Sequence, residues 1–347
     1  MSQRVRFGML GTGNFSPFLA QYINEVAKVT AICDPNPEAR ARFLEMTGRD
    51  VPQYEDYRRL LEEAEIDAVA LTGPNHLHRP MAVAAAGCGK HVFCEKAMAP
   101  TVPDCWEMVR ACRNAGVRLM VGQKRRLRPP WARMIQLREL LGPVHAMSTI
   151  GYFDARQDGF QGWWTRQAES GGVLACSGVH ELDWMRAMCG DVAAVSAVCG
   201  PGIDSRYDFS DSIHVLLRFA SGATGFLGVS LSYPLTRYRQ VYGADVVCSR
   251  GGMRLVTSFQ HIDLYWQLLT ESDEHHERFE EPGGNPVGAE EALRKETREF
   301  VRWITDGTDP CLTWREGLRC VELIEAANRS KSMEGEWVQL PLYPGLE

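Results

Sequence analysis

No run of apolar residues in this chain approaches the ~20 needed to cross a bilayer, and no signal-peptide core precedes the first strand-like segment. A membrane-embedded or exported protein is therefore not expected, and the cytoplasm is the expected location. Cys-x-x-Cys pairs are missing too. The eleven cysteines are scattered and odd in number, which argues against a secreted disulfide framework and suits thiols in a reducing compartment. Cys88 and Cys94 flank His91, but at a spacing that fits no structural zinc pattern, so no metal is expected. A basic excess is also lacking: the formal net charge is -6, whereas a nucleic-acid partner calls for a concentrated positive surface. The one basic run, Lys124-Arg125-Arg126-Leu127-Arg128, meets Pro129-Pro130 at once and reads as a solvated loop or an anion-contacting edge. Internal repeats and low-complexity tracts are absent, and Glu281 to Pro286 reads as a mobile loop.

What is present is an ordinary globular composition, 45% hydrophobic and 24% charged over 347 residues, enough for about two domains of roughly 150 residues. Up to residue 123, short apolar runs alternate with longer amphipathic ones, the rhythm of βαβ units and a parallel sheet. Candidate strands are Val5 to Leu10, Val29 to Cys33, Ala68 to Thr72, His91 to Cys94 and Arg118 to Val121, with helix-like stretches between them. Beyond Gln123 one helical stretch, Trp131 to Leu141, precedes many β-rich segments with no helix between each pair, a pattern of mostly antiparallel pairing. Two amphipathic helices, Ala289 to Thr305 and Trp314 to Ser330, close the chain. The expected fold is α/β: a doubly wound parallel sheet of the Rossmann kind over residues 1–123, then an α+β domain with an open, mostly antiparallel sheet over 124–347. The C-terminal stretch Trp337 to Leu342 is expected to pack back on the first domain.

Directly after the first strand stand Gly11-Thr12-Gly13-Asn14-Phe15-Ser16-Pro17, and an apolar helix follows. A Gly-x-Gly alone is weak evidence. A strand before it, a helix after it and an acid about 20 residues on form a joint constraint for dinucleotide binding. That acid is Asp34, at the end of the second strand, where its carboxylate can accept both ribose hydroxyls. The glycines let backbone approach a pyrophosphate, and the helix N-terminus offers N–H groups and a partial positive charge. Ser16 stands in place of a third glycine or alanine and reads as an N-cap ahead of Pro17. Asp34 is followed by Pro35-Asn36-Pro37, without an arginine for a 2′-phosphate, so NAD is favoured over NADP.

Three further segments carry chemistry: Thr72-Gly73-Pro74-Asn75-His76-Leu77-His78, Cys94-Glu95-Lys96-Ala97, and the run from Ser170-Gly171-Gly172 through Cys176 and His180 to Asp183. The first two follow strands at the carboxyl edge where open α/β sheets bind ligands. Cys176, His180 and Asp183, at i, i+4 and i+7, fall on one face of a helix after the glycine pair. Gly178 weakens that helix by ~1 kcal/mol relative to alanine, a cost that fits a close approach by another backbone or by the nicotinamide. Trp163-Trp164 suit either a stacking platform for a sugar ring or a core.

Taken in order, these motifs resemble the glucose-fructose oxidoreductase and inositol dehydrogenase family, Gfo/Idh/MocA, and the likeness extends through Gly122 to Pro129 and Phe300 to Leu340. The resemblance implies a two-domain NAD(P)-dependent oxidoreductase acting on a sugar, polyol or related hydroxyl compound, commonly a homodimer or homotetramer built on the open sheet. It places the family's lysine on Lys96, in Glu-Lys-Ala where Glu-Lys-Pro is usual, and its histidine on His180. The family's aspartate falls on Cys176, a departure that changes either the substrate or the chemistry unless a thiolate restores the charge. By the same resemblance Thr72, Pro74, Asn75, His78, Glu95, Lys96 and Gln123 join Gly11, Thr12, Gly13, Asn14, Phe15 and Asp34 along the cofactor, with Cys176 on the substrate side; Asp183, from its place on the helix face, and Trp164, as a stacking platform, are the further substrate-side candidates.

A free lysine is neutral in only about one molecule in 2,500 at pH 7, so acting as proton acceptor requires a drop of roughly three pKa units, ~4 kcal/mol, from desolvation and a cationic nicotinamide. Lys96 is expected to exchange the substrate hydroxyl proton, with His180 orienting that hydroxyl or relaying its proton and Asp183 bonding a neighbouring one. Two alternatives are a redox-neutral sugar-modifying enzyme with tightly held NAD and a nucleotide-binding homologue without catalysis.

Overall fold

The structure, a computed structural model, describes residues 4–155, 161–234, 240–257, 261–280 and 289–345. The chain divides into two compact units, Met1–Gln123 with Leu293–Leu318, and Lys124–Ala292 with Arg319–Glu347.

In the first unit, strands β1 (Arg6–Leu10), β2 (Lys28–Cys33), β3 (Gln53–Tyr54), β4 (Ala68–Leu71), β5 (His91–Cys94) and β6 (Leu119–Val121) alternate with helices α1 (Ser16–Val26), α2 (Pro37–Thr47), α3 (Tyr57–Glu63), α4 (Asn75–Gly87) and α5 (Val102–Asn114). All the strands are parallel, in the order β3-β2-β1-β4-β5-β6. Continuous burial along β4, and of Met9, Leu10, Val92 and Phe93 beside it, is what a sheet covered on both faces requires. Local chemistry sets the helix ends. Asn36 Oδ1 accepts the N–H groups of Glu38 and Ala39, Pro37 lies in the first turn of α2, and Gly48 closes it at φ 61°. Ser16 is not the N-cap of α1: it is the first helical residue, Phe15 precedes it, and the Ser16 hydroxyl turns back to donate to Gly13 O at 2.8 Å.

The second unit contains α6 (Pro129–Leu141), α7 (Gln167–Ser170) and α8 (Val179–Cys189) with β7 (Val144–Phe153), β8 (Val192–Val198), β9 (Ser212–Phe219), β10 (Thr224–Ser230), β11 (Gln240–Cys248), β12 (Gly251–Thr257), β13 (His261–Leu268), β14 (His275–Glu280) and β15 (Val338–Gln339). These strands form one nine-stranded sheet, β14-β13-β12-β11-β7-β10-β9-β8-β15, in which only the β7–β10 pair is parallel. Helices α6 and α8 pack on one face. On β9, Ile213, Val215, Leu217 and Phe219 are buried while His214, Leu216 and Arg218 point outward. That period of two marks a sheet covered on one side.

Helices α9 (Ala289–Thr305) and α10 (Trp314–Ser332) are each shared between the units. Phe300 of α9 lies edge-on to Phe7 and Phe93 at 6.0 and 5.6 Å, closing the core of the first unit. The segment that returns to the first unit is thus residues 293–318, whereas β15, within the stretch expected to do so, pairs with β8. Strands β3, β12, β14 and β15 escape the sequence reading: β3 and β15 are two residues long, β12 begins with two glycines, and β14 is a polar edge strand with exposed His275 and His276. Residues 281–286, read from the sequence as a mobile loop, lie outside the described residues.

Candidate functional site

In the first unit the sequence-predicted cofactor residues gather at the carboxyl ends of β1, β2, β4, β5 and β6. Gly11 has φ +102°, and a Cβ there would stand 2.5 Å from Gly73 N, so only glycine allows the two loops to touch. A Cβ on Gly13 would meet nothing within 4 Å, leaving open space beside the start of α1. Thr12 N donates to Asp34 Oδ2 at 2.8 Å, and Asn36 N donates to Asp34 Oδ1 at 2.9 Å. Each oxygen keeps a lone pair for a ribose hydroxyl. Thr12 Oγ1 is buried without a partner. Asn14 is exposed and Phe15 half-buried in the turn ahead of α1.

The Thr72 hydroxyl donates to Gly11 O at 2.7 Å, so it braces the loop. Pro74 is half-buried at the entry to α4, and Asn75, its first residue, is buried. His78 is fully buried. Its Nε2 is 3.0 Å from Gly73 O, and its Nδ1 is 3.0 Å from Ala97 O and 3.3 Å from Met98 O. It therefore ties the loop after β4 to the loop after β5. Burial lowers the His78 pKa even though these carbonyls and the Glu95 charge pull it upward. Lys96 is half-buried, its N–H 3.3 Å from the Oε2 of buried Glu95. Gln123 is fully buried, and neither atom of its amide has a partner.

These features fit a dinucleotide. A buried polar group without a partner costs ~1–3 kcal/mol, and the unpartnered Thr12 hydroxyl and Gln123 amide lie in the unit that also holds the open space at Gly13 and the braced Asp34 carboxylate.

In the second unit the substrate candidates cluster around α8. Residues 174–178 form a wide π turn that runs into this helix, a distortion frequent at functional sites. Cys176 is buried, its thiol 3.8 Å from Trp164 O, and His180, one turn on, is half-buried. Trp163 and Trp164, both half-buried, stack at 4.1 Å and 27°. Asp183 does not share their surroundings: it has no exposed area, and Arg126 grips its two oxygens through Nε at 2.7 Å and Nη2 at 2.6 Å. The polar stripe read from the i, i+4, i+7 spacing therefore splits, with Asp183 turned toward the segment after β6.

The basic run is not a solvated loop; of the two readings, the anion-contacting one agrees with its arginines, which meet carboxylates of the protein itself. Lys124–Leu127 is a short 3-10 turn. Arg125 is buried, 2.8 Å from Glu181 Oε1, between the rings of Trp131 and Tyr242 at 4.7 and 4.1 Å. Two adjacent arginines matched by two carboxylates two residues apart, Glu181 and Asp183, were the available signal. Gly178 is explained by packing: a Cβ there would lie 2.7 Å from Leu174 Cδ2 and 3.0 Å from Val229 Cγ2.

Two family models match the chain: an oxidoreductase family with an NAD-binding Rossmann fold over residues 5–123, and the corresponding C-terminal domain over 132–254. The chain is 26% identical to 2,7-anhydro-N-acetylneuraminate hydratase of Escherichia coli (strain K12), over 95% of this chain and 96% of that protein. It is similar to the solved aldose-aldose oxidoreductase from Caulobacter crescentus complexed with glycerol, at 28% identity and TM-score 0.81, covering 97% of this chain and all of the other. Its fold is also that of levoglucosan dehydrogenase in complex with NADH and levoglucosan, at 21% identity and TM-score 0.85, covering 98% of this chain and all of the other.

Proposed function

The chain belongs to the Gfo/Idh/MocA family of NAD-binding oxidoreductases, and from that premise we propose that it transfers hydride between NAD and a CH–OH carbon of a sugar, polyol or related hydroxyl compound. The observation that carries this reading is the set of prepared ligand groups in the first unit: the unpartnered Thr12 hydroxyl and Gln123 amide, the open space at Gly13 and the Asp34 carboxylate. NAD, when bound, supplies the hydride acceptor. Asp34 receives the ribose hydroxyls, and its charge disfavours a 2′-phosphate and hence NADP. Lys96 takes the hydroxyl proton in oxidation and returns it in reduction. His180 hydrogen-bonds the reacting hydroxyl, and Cys176 and Trp164 line the substrate. Asp183, with both oxygens on Arg126, acts by holding α8. The sugar class is supported by the aldose-aldose oxidoreductase and levoglucosan dehydrogenase similarities.

A cytoplasmic homodimer or homotetramer is part of the proposal. Among the described residues no helix is long and apolar enough to cross a membrane. The outer sheet face, bearing exposed Leu216, Val247 and Val256, is the surface a second copy would cover.

The test is a single-turnover reaction of NAD-loaded protein with a panel of sugars and polyols, followed by nicotinamide absorbance, for wild type and Lys96→Ala. Reduction by wild type that falls on the order of 10²–10⁴-fold in the variant is expected. Equal rates in the two proteins, or silence across the panel, would count against the reading. The hydratase similarity favours one alternative, a redox-neutral reaction, recognisable by substrate turnover with retained NAD and no net NADH.

A further inference from the structure

The loop between β8 and β9 carries a buried hydroxyl without a partner. Tyr207 is 7% exposed, and its phenol oxygen, out of contact with solvent, has no hydrogen-bond partner. Such a group costs folding free energy unless something is brought to it. The loop is held so that the ring cannot turn away freely. Asp211, fully buried, accepts the N–H groups of Ile203 at 3.2 Å and Asp204 at 2.9 Å and the Ser232 hydroxyl. The Asp204 carboxylate clamps the Arg206 guanidinium at 2.6–3.0 Å. On the other side of Tyr207, Asp208 N donates to Thr165 O at 3.1 Å and the Asp208 carboxylate accepts Gln167 N at 2.7 Å. These bonds fasten the segment of Tyr207 to the Trp163–Thr165 turn, whose Trp164 carbonyl meets the Cys176 thiol.

We propose that Tyr207 is a specificity-determining residue, whose phenol donates a hydrogen bond to an oxygen of an uncharged sugar or polyol bound against Cys176 and the Trp163–Trp164 pair. The assignment rests on the substrate side proposed above for Cys176 and Trp164. Phenol and thiol are both neutral donors, and the Arg206 charge beside them is matched by Asp204. Among the described residues these two donors thus suit an acceptor oxygen of the ligand.

Full-length protein with saturating NADH is titrated calorimetrically with D-glucose, myo-inositol and levoglucosan, comparing wild type with Tyr207→Phe. At least one of these sugars binds wild type, and each that binds does so about tenfold more weakly in the variant, with NADH affinity unchanged. Without sugar the variant's Tm is equal to or above that of wild type, because the hydroxyl it lacks has no partner in the fold. A lowered Tm, undiminished sugar affinity, or no binding of any of the three to wild type overturns the assignment. Sugar binding that depends on Tyr207 without NAD reduction would instead remove the dehydrogenase reading and leave Tyr207 in place.

Discussion

His78 meets backbone carbonyl oxygens at both ring nitrogens, yet a neutral imidazole has only one N–H to donate. Burial nevertheless keeps its pKa below the ordinary 6.5, and burial followed by the Arg118 charge does the same to His91. As the pH falls through 6.5 the unfolded chain takes up protons that the folded chain refuses, so their contribution is complete above 6.5 and is lost as the pH drops below it. Urea denaturation at pH 7.5 and 5.5 should show wild type less stable at the lower pH. The loss should be smaller in His78→Gln, which keeps only the His91 share, and an identical loss in the two proteins would remove His78 from the account. Gly11 and Asp34 were legible in the sequence because strand, glycine pair, helix and acid follow one another within a single βαβ unit. The partners of His78 after β5, the Arg126–Asp183 clamp and the unpartnered Tyr207 were not: the first two join segments 19 and 57 residues apart with no motif to announce the pairing, and an unmet hydroxyl leaves no mark in sequence.

At the scale of elements, α8 and the π turn before it set the position of His180. Gly178 admits the side chains of Leu174 and Val229 where a methyl group would stand. Gly178→Ala should therefore cost about 1–3 kcal/mol through overpacking, outweighing alanine's helical preference. Equilibrium urea denaturation checks this, and a variant as stable as wild type would show that α8 yields without strain. Helix α9 was readable to its C-terminal end at Thr305, because its apolar positions recur at helical spacing. The π turn left no comparable trace, since widening one turn changes no residue type, and a glycine in a helical pattern marks crowding without naming what crowds it.

For the whole molecule, the two sheets obey opposite burial rules, and the sequence carried both: apolar runs for the covered parallel sheet, alternation for the half-covered one. The outer face of the latter presents Leu216 and Val247 at 48% and 57% exposure. Leu216→Glu with Val247→Glu should shift the mass measured by light scattering toward the monomer while the far-ultraviolet circular dichroism is retained. An unchanged mass at every concentration would locate self-association elsewhere or deny it. The boundary after Gln123 was readable from the change in rhythm, but the return of residues 293–318 was not, because an amphipathic helix does not name the core it completes. Phe300 closes the floor beneath Phe7 and Phe93, and Trp314 packs on Trp106 at 5.6 Å. The nucleotide-holding half is consequently not a cassette that one cut can excise. A chimera with a relative keeps it whole only if residues 1–123 and 293–318 are exchanged together.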